Sequence, residues 1–60
     1  MWDEVMIWEA VDAALALAST PLAIAEVSND LPEILIVLRD ASGEVTSRWI
    51  AYTDGRVEPN

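Results

Sequence analysis

An α+β fold follows from three features of these 60 residues. The first 18 are rich in alanine and leucine, with apolar side chains at helical spacing. Residues 34–38 and 45–53 hold two runs rich in β-branched and aromatic side chains. Clusters containing Asp and Gly, at Asp40–Gly43 and Asp54–Gly55, punctuate those runs as turns do. The expected architecture is one N-terminal helix packed on a three- to four-stranded antiparallel β-meander, in a single domain over residues 1–60.

The helix has a start signal. Asp3 is a suitable cap, and Glu4 suits the positive end of the helix dipole. At ~100° per residue, Trp2, Met6, Ala10, Ala13, Ala14 and Leu17 fall on one arc, with Ile7 and Val11 at its edge. That arc is the expected core face, its alanines allowing close approach to a sheet. Residues 20–28 admit two readings. Thr20-Pro21 suits the start of a second short helix, whereas Leu22, Ile24 and Glu26 alternate with Ala23, Ala25 and Val27 as in a strand. The strand is preferred, because Ser28 to Pro32 then forms a turn into the next one.

Ile34 to Leu38 is a continuous apolar run of the kind found in strands covered on both faces. Asp40-Ala41-Ser42-Gly43 reads as a three-residue hairpin loop with a bulge. Val45 to Thr53 follows as a strand, Asp54-Gly55 as a tight turn, and Arg56 to Glu58 as a short edge strand ended by Pro59. If Asp40 pairs with Glu44, Leu35 lies opposite Trp49 and Ile34 opposite Ile50. One face then carries Leu35, Val37, Val45 and Trp49, and the other Ile34, Ile36, Leu38 and Ile50. One helix covers only one of them, and a one-residue slip exchanges the assignments.

Composition narrows function. With 53% apolar residues in so short a chain, some apolar surface is expected at a dimer or partner interface as well as in the core. Eleven acids against three arginines give a net charge of −8, which opposes nucleic acid and anionic membranes and favours basic partners. The same charge also serves solubility. The apolar stretch from Ala10 to Val27, with Ala16-Leu17-Ala18, imitates a secretory signal, but the acidic start of Asp3, Glu4 and Glu9 does not fit one. Asp12 and Pro21 interrupt it as a membrane span. A cytoplasmic protein beginning at Met1 is expected.

The chain has no Cys, His or Lys, which removes disulfides, thiolate or imidazole metal sites and the common catalytic bases. Only Gly43 and Gly55 are present, so there is no phosphate-binding loop, and Asn29-Asp30 with Glu33 lacks the spacing of a calcium loop. No catalysis, cofactor or metal is expected. Trp2 and Trp8 lie about 120° apart around a helix, so only one can sit centrally in the core. With Trp2 on the core arc, Trp8 falls near the opposite side, between Glu4 and Asp12 in one row, with Leu15 beyond and Glu9 beside it. Either Trp8 folds over the helix edge onto the sheet, or it anchors an interface among acids that meet a basic partner. Core packing is expected for Trp49 and Tyr52. Arg39, Arg48 and Arg56 make no basic patch.

In length, acidity, lack of cysteine and helix-plus-hairpin pattern, the chain resembles the small acidic inhibitor proteins encoded by phages, including anti-CRISPR proteins, some of which act as DNA mimics. The resemblance implies carboxylates standing in for DNA phosphates on the basic site of a nucleic-acid-binding protein or complex in the host cytoplasm. The candidates are Glu4, Trp8, Glu9 and Asp12 on the helix, with Glu26, Asp30 and Glu33 if the fold brings them to the same side. The rival reading is a homodimeric structural or accessory module that pairs through an apolar sheet face.

Overall fold

A computed structural model describes residues 2–20, 22–28 and 32–60. Helix α1 (Glu4–Ala18) is followed by strands β1 (Ile24–Ser28), β2 (Ile34–Arg39), β3 (Val45–Ala51) and β4 (Val57–Pro59). The strands form one antiparallel sheet in the order β1-β2-β3-β4, the expected meander. Residues 24–28 are the strand preferred from sequence; the turn expected from Ser28 to Pro32 lies partly outside the described residues, as does Pro21.

Asp3 caps α1, its carboxylate accepting from the Met6 amide at 2.8 Å. The helix ends at Ser19, whose left-handed backbone (φ 57°) turns the Thr20 amide back to donate to the Leu15 carbonyl at 3.2 Å, beside the Ser19 amide on the Ala16 carbonyl. Ala10, Val11 and Ala14 are buried against Ile34, Ile36, Leu38 and Ala51, with Ile7, Leu15 and Ala18 packed around them. The core face is therefore rotated from the expected arc: Val11, expected at the edge, is buried, and Leu17 is 59% exposed. Trp2 does not belong to that arc. It precedes the cap, so the helical phase does not extend to it; it reaches the core from outside the helix, its indole donating to the Pro32 carbonyl at 2.7 Å.

Both hairpins use one loop design. Asp40 and Glu44 close the first, the Asp40 amide donating to the Glu44 carbonyl and the Gly43 amide to the Asp40 carbonyl, each at 3.0 Å. Tyr52 and Arg56 close the second in the same way, with the Gly55 amide on the Tyr52 carbonyl. The third loop residue needs positive φ, 89° at Gly43 and 99° at Gly55, which glycine adopts without steric cost.

Beyond the first loop the register departs from the expected one. Arg39 lies opposite Val45, but Leu38 lies opposite Ser47, so β3 carries one extra residue in a β-bulge. Leu35 therefore faces Ile50, and Ile36 faces Trp49. The expected register would have set Arg48 opposite Ile36, beneath the helix and without a partner. Burying a lone guanidinium costs several kcal/mol; the bulge turns Arg48 outward and brings Trp49 and Ala51 to the core side. Trp49 packs against the core as expected, its indole donating to the Ser47 hydroxyl at 2.9 Å. Tyr52 is half-buried, with the Arg56 guanidinium 4.4 Å from its ring centroid. The helix lies over β2, β3 and β4. Among the described residues, the other face of β2 has no covering layer, contrary to the two-sided cover its apolar run suggests.

Ile36 is fully buried. Ile36→Ala is expected to cost about 2–5 kcal/mol, against a total stability of roughly 0.05–0.15 kcal/mol per residue. Urea unfolding should show a transition shifted close to zero denaturant. Asp40 supplies a pH signature. Its carboxylate accepts from the Ser42 hydroxyl at 2.6 Å and from the Glu44 and Ser42 amides at 3.0 and 2.9 Å, and these bonds, the Ser42 hydroxyl first, hold its pKa below the usual aspartate value. A depressed folded-state pKa gives stabilisation that is fully present above the unfolded-state value and is lost as pH falls through the folded one. The melting-temperature gap between wild type and Asp40→Ala should therefore be constant near neutrality and close in acid.

Candidate partner-binding surface

The solvent face of α1 is built by the rotation that buries Ala10, Val11 and Ala14. Residues on the far side of the helix are Val5, Glu9, Asp12 and Ala16, with Glu4 and Trp8 along one flank, and all six are exposed. Glu4, Trp8 and Asp12 follow one another at four-residue spacing and so line a single row. Trp8 is 61% exposed, which decides between its two readings as far as packing goes: it does not fold onto the sheet. Val5, 64% exposed, joins it as a second apolar side chain. Sequence reading passed over Val5, although its position opposite Ala14 on the helical wheel marks it as outward-facing. Leu15, which extends the row in sequence, instead turns partly into the core.

The electrostatics are one-sided. Asp3, Glu4, Glu9 and Asp12 are the charged side chains of residues 2–20, and no basic residue occurs before Arg39. The ion pairs among the described residues all lie in the sheet and its loops: Arg39–Glu26 at 3.6 Å, Arg56–Asp54 at 2.8 Å and Arg56–Glu58 at 3.3 Å. The helix carboxylates thus have no arginine partner and present their charge to solvent.

The other candidates fall elsewhere. Glu26 shares a sheet face with Val37 and Arg39, opposite the helix, so it does not join the helix acids. Glu33 is half-buried next to Pro32, which Trp2 ties to the helix N-terminal end of the molecule. Asp30 lies outside the described residues.

An open cleft of about 270 Å³ runs between Met6, Glu9 and Ala13 of the helix and Tyr52, Gly55 and Arg56 of the second hairpin. It falls below the size usual for small-molecule sites, and its one cation, Arg56, is already held by Asp54 and Glu58. Among the described residues, no group of three or more acids is placed to hold a metal ion, and no helix is long and apolar enough to cross a membrane. Comparison with protein-family models, curated proteins and solved structures finds no match.

What this surface can do is bind. Covering the exposed part of Trp8 would remove on the order of 100–150 Å² of apolar area from water, worth about 3–4 kcal/mol before the costs of association. Unpaired carboxylates around it would select a cationic counter-surface. The accessibility is checked directly by acrylamide quenching: Trp8→Phe should remove the readily quenched part of the tryptophan fluorescence and leave the thermal unfolding transition in place.

Proposed function

We propose that the protein is a non-enzymatic inhibitor whose acidic helix face occupies a basic nucleic-acid-binding site on a partner protein or complex. The observation that carries this reading is the joint exposure of Glu4, Glu9 and Asp12 around Trp8, on a face with no arginine pairing to any of them. Each carboxylate carries the single negative charge of a backbone phosphate. Glu9 and Asp12, three positions apart on a helix, have Cβ atoms about 5–6 Å apart, a spacing compatible with successive anions along a nucleic-acid strand. A groove lined with Lys and Arg that neutralises phosphates meets the same charge here.

Trp8 adds what a polyanion lacks. Tryptophan is the residue type most enriched among the few side chains that dominate binding energy, and acids around it exclude water and set partner choice. The site is therefore an apolar anchor inside a ring of negative charge. The acids steer encounter and are sensitive to salt, while the anchor slows dissociation. Glu33, at the end where the helix begins, extends the negative charge along the same end of the molecule; Glu26 takes no part.

The test is capture of partners from a host lysate by the tagged protein, washed across rising salt with and without competing duplex DNA. A nucleic-acid-binding protein should be retained at low salt and released by either salt or DNA. Neutralising the face with Glu4→Gln, Glu9→Gln and Asp12→Asn together should abolish capture, and Trp8→Ala should weaken it by about 100-fold. Undiminished capture by the neutralised variant would refute the reading.

A further inference from the structure

The outer face of the sheet poses a separate question. The register lays its residues out in three rows: Ile24, Arg39 and Val45; Glu26, Val37 and Arg48; Ser28, Leu35, Ile50 and Glu58. Leu35, Val37, Val45 and Ile50 are only half-buried, and Ile24 is 58% exposed. Leu35, Val37 and Ile50 adjoin as an apolar patch on the side away from α1, with Ile24 and Val45 flanking Arg39 beyond it. The patch is also where a continuous apolar strand finds one face bare, although strands of that kind are ordinarily covered on both.

Charge identifies the occupant. The face carries Glu26, Glu58, Arg39 and Arg48, two of each sign, in a chain whose net charge is −8. A strongly basic partner gains nothing from a neutral face, and a nucleic acid or anionic membrane gains little. A second copy of the chain fits, because stacking sheet on sheet sends both acidic helices outward, as far apart as the assembly permits. Arg48 is exposed and has no ion-pair partner among the described residues, whereas Arg39 has one and Arg56 two.

We propose that the protein forms a twofold-symmetric dimer through this face. Glu26 and Arg48 stand on either side of Val37 in the middle row, on the strands flanking β2. A twofold axis running along β2 sets Val37 and Leu35 against their counterparts and each Glu26 over the second copy's Arg48; it also brings Arg39 to its own counterpart, each guanidinium held by Glu26 of its own copy at 3.6 Å. A twofold axis across the strands would instead set Glu26 on Glu26 and Arg48 on Arg48, which like-charge repulsion disfavours. The product is a two-sheet sandwich with a helix on each outer side. It buries the bare face of β2 and leaves both Trp8 surfaces free, so it is independent of the inhibitor reading and would make a binder of that kind bivalent.

Sedimentation equilibrium of the full chain, from low micromolar to millimolar concentration, tests it. Wild type should reach twice the 6.6 kDa chain mass and dissociate on dilution. Val37→Asp places an unpaired carboxylate at the centre and should raise the dimer dissociation constant at least ~100-fold. Glu26→Lys and Arg48→Glu alter exposed positions and should leave the circular dichroism spectrum of the monomer unchanged. Each alone should weaken the dimer about tenfold or more, and an equimolar mixture of the two should restore it, since residue 26 of each copy then meets an opposite charge at residue 48 of the other. A wild-type chain that remains monomeric throughout the range overturns the proposal. So does a dimer indifferent to Val37→Asp, or a mixture no better than its components.

Discussion

Ile34, Ile36 and Leu38 lose all exposure to water because the helix above them offers Ala10, Val11 and Ala14 rather than larger side chains. Small residues one turn apart let the helix backbone approach the sheet, and three long aliphatic side chains fill the space between. Everything else in the molecule is arranged around that contact. It fixes the rotation of α1, and hence which residues are left facing solvent. It also fixes which face of β2 is inside, and through the hairpin ladder which face of every other strand follows it. No polar or charged side chain among the described residues is buried in this core, so nothing in it has to be offset by a buried hydrogen-bond network.

Those parts of the fold that depend on local chemistry were legible in the sequence. The Asp3 cap, the Asp40–Gly43 and Asp54–Gly55 turns, and the preference of residues 24–28 for a strand each rest on a few neighbouring residues. The register of β2 against β3 beyond Arg39 was not legible, because a bulge is settled between strands. The signal was nonetheless present. In the unbulged ladder Arg48 falls on the same face as Ile36 and Leu38, and a charge among core positions is itself evidence that the register slips. Weighing where Arg48 would lie, in addition to where the apolar residues would lie, leads to the register found.

The helix shows a similar lesson. The helical wheel sets Trp2 on the apparent core arc with Leu17, whereas the cap at Asp3 places Trp2 outside the helix altogether. Met6, Ala13 and Leu17 hold the arc on that side even without Trp2, so the rotation onto Ala10, Val11 and Ala14 is set by contact with the sheet. The outward position of Trp8 survives either choice, because it depends only on its spacing from the residues that do pack. Glu26 could not be sorted in this way. Its side of the sheet follows from pairing with Val37, a contact that no local pattern announces.

The resulting molecule separates its charges from its spare apolar surface. The carboxylates of α1 have no arginine partner, all three arginines lie in the sheet or its hairpin, and the charges of the outer sheet face balance. Scattered evenly, a charge of −8 would hinder every apolar contact such a chain could make with a copy of itself. With the charges of the outer sheet face in balance, that face can close against another surface with little electrostatic work. The unpaired helix carboxylates surround Trp8 with a negative field that a cationic partner would feel. A single helix over a two-faced sheet thus yields two surfaces of opposite character, one suited to charge-guided recognition and the other to burial.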